Sequence, residues 1–322
     1  MELVVVPAVV GAITGVLVGL LVDVVERFLL ETVILGIPGP WFAIPALGVF
    51  VLTRLALVKV AGATSPSTSE LFPEAYHHGK WRYPLRQVPG RILSGVTTVG
   101  LGGSQGLESQ SAMVGSTVGI AIRRVFGDRL PYLSTQAGRR LVLVCGASAG
   151  IATVFSSPIL GAAYGIEMPF RRRLDGRRLL PSMIAASVSY VTASLIKSSR
   201  SLMTYVPHDI SAREMAGALG VALLCGVGAR YFAVIMGHIR RWKDGPRPWL
   251  RAAGAGVALM LLAMAGWFVT GQPISAGPGY VASDWALPAS GPGPTVWLLV
   301  AALAFRWLTV LLCIGAGGGG GV

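Results

Sequence analysis

Charged residues are scarce in this chain, and acidic ones scarcest: Asp and Glu number 14 among 322 residues, against 27 Lys and Arg. Charged side chains make up 13% and hydrophobic ones 53%, with a mean hydropathy of +0.66. A soluble domain covers its surface with roughly 25% charged residues, so the expected solvent here is lipid. Cysteine is nearly missing as well. Cys145, Cys225 and Cys313 stand singly in apolar segments with no paired spacing, which excludes a disulfide framework and a cysteine metal site. Histidine is as rare, and His77, His78, His208 and His238 fall in loops or at helix ends.

What the chain does have is apolar length. Runs of about 20 residues, enough to cross a bilayer as helices, recur along it. The first, Val4 to Val24, follows an acidic Met-Glu start without a basic n-region or a convincing cleavage site, so it reads as a retained anchor. The net charge of +13 raises nucleic-acid binding as an idea. The distribution argues against it, because the basic residues gather in short loops, notably Arg171 to Arg178 and His238 to Arg251. Short loops rich in Arg and Lys stay on the cytoplasmic side of a membrane. One crossing out and one back between those loops leaves 197–213 and 271–294 external, and the second carries no Lys or Arg.

Helices are expected at Val4–Leu30, Trp41–Val60, Ser109–Phe126, Ala137–Phe155, Pro158–Met168, Leu179–Ile196, Met215–Met236, Leu250–Thr270 and Val296–Ile314. A polar, interrupted stretch covers Ala61 to Arg91, and an apolar segment leads from Ile92 into a glycine run. Several helices are too short to span alone, or are joined by almost no polar linker, as at Ser156-Ser157-Pro158. Broken helices at membrane depth need a cavity or a ligand to satisfy their freed backbone groups, and in transporters they mark the substrate site. Two glycine runs interrupt this chain, Gly100 to Gly106 and Gly315 to Gly321. They fall at equivalent places in two halves, 1–196 and 212–322, the second incomplete.

Glu108 lies in the sequence Gly-Leu-Gly-Gly-Ser-Gln-Gly-Leu-Glu-Ser-Gln, Gly100 to Gln110. A helix start offers unpaired N–H groups and partial positive charge, and glycines let an anion approach them closely. A carboxylate there feels desolvation and helix N–H groups in opposite senses. It can fill the anion's place when charged and leave it when protonated. The competing reading is a helix-start residue near the surface.

With these residues in view, the chain resembles the CLC family of chloride channels and chloride/proton antiporters. The family's second signature is Gly-(Lys/Arg)-Glu-Gly-Pro with glycines seven and eleven positions after the Glu; here Glu108 is followed by Gly115 and Gly119. Gly146-Ala147-Ser148-Ala149-Gly150-Ile151-Ala152-Thr153-Val154-Phe155, then Pro158, Gly161 and Glu167, is similar to a second family segment. Arg306 to Cys313, leading into the final glycines, resembles the approach to the third signature, Gly-x-Phe-x-Pro. Val322 would precede its Phe, so the chain is expected to be a fragment cut short at its C-terminus.

The resemblance implies an all-α polytopic membrane protein, an inverted-repeat bundle of tilted, broken helices without a soluble regulatory domain. It implies a homodimer in contact through Pro158–Ile196, each subunit with its own pathway. It implies voltage- or pH-gated transport of chloride or another small anion, with Glu108 as gate and no cofactor, in a membrane, the plasma membrane of a bacterium. The anion-binding candidates are Gly106, Leu107, Ser109, Gln110, Gly320, Gly321 and Val322, with Ser65 or Ser67 standing for the first-signature serine. Ser109-Gln110 replaces Gly-Pro, and Leu107 replaces a basic residue. Glu167 is the second gating or proton candidate. The inward proton-handling Glu of family antiporters is Met168 here, which favours channel-like or weakly proton-coupled movement over strict antiport.

Two readings outside transport stay open. Gly146-Ala147-Ser148-Ala149-Gly150 fits the Gly-x-Ser-x-Gly pattern of serine hydrolases, a chemistry that needs a histidine within reach. Small residues at this spacing serve close helix packing instead. A membrane scaffold that transports nothing is the other. Glu167, beside the Arg171 cluster, also suits an interfacial ion pair, and His77-His78 suits a solvated cytoplasmic loop.

Overall fold

The computed structural model describes residues 2–63, 71–77, 84–170, 174, 176–196, 211–239, 246–287 and 293–321. Among these the fold is all-α. Six helical stretches are long and apolar enough to cross a membrane: Glu2–Ile34, Gly39–Ala61, Gln136–Phe155, Ala212–Ile239, Pro248–Thr270 and Val296–Gly315. The protein is a polytopic helical bundle, as its composition requires.

Helix α1 (Glu2–Val22) loosens into wide π-helical turns over Asp23–Ile34. A 3-10 stretch, Gly39–Gly48, runs through α2 (Val49–Leu55) into π-helical Ala56–Ala61. Then come α3 (Leu71–His77), α4 (Val88–Gly100), α5 (Glu108–Phe126), the single turn α6 (Pro131–Ser134), α7 (Gln136–Phe155), α8 (Pro158–Glu167) and α9 (Leu179–Ser194). The remainder is α10 (Ala212–Ile239), α11 (Pro248–Thr270), α12 (Tyr280–Ala286) and α13 (Val296–Gly315). Nearly every expected helix is present within a few residues. Four differ: α3 and the start of α4 lie in the stretch expected to be interrupted, α6 is a single turn between two expected helices, and α12 lies in the long loop. His77 accordingly ends a helix, where its Nε2 pairs with the carbonyl of Pro169.

The breaks follow from local chemistry. At the α7–α8 corner, Ser156 takes a left-handed conformation (φ +51) that stops α7. Ser157 then accepts the Leu160 N–H at 3.3 Å as N-cap, and Pro158 occupies the first turn, where its missing N–H costs nothing. Thr135 caps α7 in the same way, accepting from Gly138 N at 3.1 Å.

Lipid supplies no hydrophobic drive between helices, so close packing of small residues must hold them. Gly11, Gly15 and Gly19 of α1 press on Ala185, Ser189 and Ala193 of α9, and the registers rise together, so the two helices run parallel. On α5, Gly115 and Gly119 lie against the carbonyls of Gly146 and Val142 of α7, while Gly150 lies against that of Ser111. That antiparallel crossing is the physical reason why Gly115 and Gly119 stand four residues apart, on one face of α5. It also explains Ser148, which is fully buried with Gly165 of α8 packed on its Oγ.

Candidate functional site

The two glycine runs make the same turn. After α4, Gly102 (φ +88) donates to Val99 O at 3.0 Å and Gly103 to Thr98 O at 2.8 Å. After α13, Gly317 (φ +81) donates to Ile314 O at 3.2 Å and Gly318 to Cys313 O at 2.7 Å. Both positive-φ positions suit glycine, the residue without a Cβ to clash. The tertiary fold then lays one turn on the other. Gly321 N donates to Gly106 O at 2.8 Å, and Gly320 N to Gln105 Oε1, 215 residues away, at 3.1 Å. Gly319 N donates to Thr98 Oγ1 at 2.9 Å, and Thr98 in turn shares a 2.9 Å hydrogen bond with Thr53.

Glu108 opens α5 directly beside this junction. A Cβ added to Gly106 would overlap Glu108 Oε1, and one added to Gly321 would overlap Oε2. The carboxylate therefore lies between the two runs, and only glycine at both positions leaves it room. Its Oε2 is buried and has no hydrogen-bond partner. The first N–H groups of α5 are free of helical partners, as in any helix, so donors and acceptor share one small space. Leu107 turns a fully buried side chain into the core formed with Val18, Val22 and Val154. Ser109 Oγ donates to Gln110 Oε1 at 3.1 Å, and Gln110 is fully buried against Gly95 of α4.

A third segment closes the site. Ser104 donates to the carbonyl of Ser275, and also to Thr309 Oγ1 at 2.8 Å. Arg306 of α13 donates to the carbonyls of Ile274 at 3.4 Å, Ala276 at 3.2 Å and Gly277. The 271–279 segment, read in sequence only as the start of an external loop, is thus folded inward and held from two sides. Sequence reasoning gave Ser104, Arg306 and Thr309 no role. One signal was available: a single arginine inside an apolar 20-residue helix, a costly position that functional residues occupy.

Of the candidates, Gly106, Leu107, Glu108, Ser109, Gln110, Gly320 and Gly321 come together. Ser65, Ser67 and Val322 lie outside the described residues. Glu167 is the last residue of α8 and exposed, and no described contact joins it to Glu108. The Arg171 to Arg173 cluster considered as its ionic partner also lies outside the described residues. No histidine approaches Ser148 among the described residues: His77 pairs with Pro169, and His238 with Val234 O at 2.8 Å. The small-residue block packs α7 closely against α5 and α8. No group of His, Cys, Asp and Glu that would hold a metal occurs among the described residues.

Comparison with known proteins agrees with this architecture. The profile of the family described as voltage gated chloride channel matches residues 49–322. The chloride/fluoride channel protein of Pseudomonas syringae pv. tomato is 30% identical over 152 residues, 47% of this chain and 32% of its own. The H(+)/Cl(-) exchange transporter ClcA of Vibrio cholerae is 27% identical over 251 residues, 74% of this chain and 49% of its own. The chain thus spans about half the length, or less, of these curated relatives. Among solved structures, a CLC-type fluoride/proton antiporter gives a TM-score of 0.76 at 22% identity, over 99% of this chain and 76% of that one. A slow cyanobacterial Cl-/H+ antiporter gives 0.78 at 23% identity, over 100% and 75%. At such identities the likeness establishes the fold, while the profile covers most of the chain. The chain belongs to the voltage-gated chloride channel (CLC) family, whose members are transporters and not enzymes.

Proposed function

We propose that this protein moves a small anion, chloride first among them, across a bacterial plasma membrane, with Glu108 as the gate. The observation that carries the reading is the buried Oε2 of Glu108, without a hydrogen-bond partner and lying between Gly106 and Gly321. A carboxylate confined beside unpaired helix N–H groups is an occupant that an anion can replace. The backbone of Gly106, Leu107, Ser109, Gln110, Gly320 and Gly321 surrounds the ion in this reading, with Val322 and a serine near Ser65 or Ser67 completing it. The matching turns at Gly102 and Gly317 support two repeats, 1–196 and 212–322. Apolar side chains exposed on α8 and α9, among them Ile159, Leu180 and Val191, suit a homodimer contact through Pro158–Ile196.

Transport is channel-like or weakly proton-coupled, because Met168 stands where a second acid would handle protons and Glu167 is not joined to the Glu108 site. The test is anion flux from sealed liposomes containing the full chain. Glu108→Gln should change the flux and abolish its pH dependence; an unchanged pH profile refutes the gate. Strict exchange is the second reading, favoured by the names of both similar structures, which are antiporters. It requires a chloride gradient to drive protons uphill in the same liposomes, whereas the channel-like reading predicts none.

A further inference from the structure

Arg306 is the only charged residue of α13. Its guanidinium donates to three backbone carbonyls, those of Ile274, Ala276 and Gly277. Gly279, at φ +109, leaves space for it, since a Cβ there would stand 3.0 Å from Nη2. Carbonyls orient and partly solvate a guanidinium but carry no net charge. No carboxylate of the described residues lies within ion-pair reach of Arg306. A cation held inside a helical bundle without a counter-charge is costly, so something negative has to answer it.

Glu108 opens α5 four residues after Ser104, and its buried Oε2 lacks a hydrogen-bond partner. The two are held in fixed relation. Ser104, two residues before Gly106, bonds both the carbonyl of Ser275, inside the segment Arg306 clasps, and Thr309, one turn beyond Arg306. Position 107 supplies no charge, because its side chain is a leucine buried in the core. We propose that Arg306 is the fixed counter-charge of the Glu108 site, serving the carboxylate and a bound anion in turn. The inference rests on the anion-transport reading above and names the residue that sets affinity within it.

Loss of the cation weakens the hold of the carboxylate and of the competing anion together, so the two losses largely cancel while Glu108 is present. Without Glu108 nothing cancels. Chloride binding to the purified full chain, measured by titration calorimetry, separates these cases as a double-mutant cycle. Arg306→Gln should change Kd by less than about threefold in the native background. In the Glu108→Ala background it should weaken binding by about tenfold, ~1.4 kcal/mol. Arg306→Lys in that background should bind within about threefold of Glu108→Ala alone, since the charge is kept.

Equal weakening in both backgrounds, or Arg306→Lys weakening binding as much as Arg306→Gln, overturns the proposal in favour of a purely structural arginine. Chloride binding by the native and Glu108→Ala proteins with no effect of Arg306→Gln in either overturns the counter-charge alone. Absence of chloride binding in both overturns the transport reading and the counter-charge with it. Should Arg306→Gln fail to fold, Arg306→His in the Glu108→Ala background carries the same test, because histidine loses its charge between about pH 5 and 8. Chloride affinity should then fall about tenfold across that range, and a flat profile overturns the proposal.

Discussion

Replacing Gly115 by alanine should make the protein easier to unfold, whereas the same exchange at Gly220 should make it harder. At Gly115 the new methyl group would overlap the Gly146 carbonyl oxygen, with the carbonyl carbon 2.7 Å away and Thr14 Cγ2 at 3.1 Å. The first two are backbone atoms and cannot swing aside, so α5 and α7 must part. Parting them also loosens the contacts of Gly119 with Val142 and of Gly150 with Ser111. Overpacking of this kind costs about 1–3 kcal/mol, offset by the ~0.5–1 kcal/mol that alanine gains over glycine in a helix. Gly220, in α10, has nothing within 4 Å of the same methyl group, so only that gain of ~0.5–1 kcal/mol remains. The two variants should therefore differ by about 2 kcal/mol in opposite directions from the native chain. Denaturant titration in detergent micelles, followed by tryptophan fluorescence, reads the difference directly. Gly115→Ala as stable as the native protein would refute the close-contact account of the α5–α7 crossing, and a strongly destabilised Gly220→Ala would refute the open surface at α10.

Gly321→Ala places a methyl group where Glu108 Oε2 lies, so it should push the carboxylate out and give a flux with less pH dependence than the native chain; a native pH profile in liposomes counts against that placement. Ser148→Ala removes a buried hydroxyl that has no hydrogen-bond partner, so it should be neutral or stabilising by up to ~1 kcal/mol. It should also leave labelling by a serine-directed probe at background, and labelling lost in this variant would revive a hydrolase.

The fold was largely legible because lipid imposes a simple rule on sequence: a spanning segment must be apolar over its whole length. That rule located α1, α2, α7, α10, α11 and α13 within a few residues, and the short Ser156-Ser157-Pro158 link marked the corner before α8. Helices α3, α6 and α12 escaped because none exceeds seven residues. Helices that short are not stable alone; α3 is held by tertiary burial of Leu71, Phe72 and Tyr76, which periodicity cannot reveal. Glu167 ends α8 with its side chain exposed, a placement that its apolar neighbours in sequence do not fix.

At the site the division is sharper. Sequence alone determined that Glu108 starts a helix after a glycine run, that a second run follows α13, and that Gly115 and Gly119 belong to the same pattern. Each is a local property, set by conformational freedom at glycine and by helical period. Only the tertiary structure decided that the runs meet through Gly106 and Gly321, that the carboxylate lies between them, and that Arg306 and Ser104 fold the 271–279 segment against them. Those contacts join residues up to 215 positions apart. Close helix packing by small residues brings them together, and that packing leaves no periodic trace at the residues it unites.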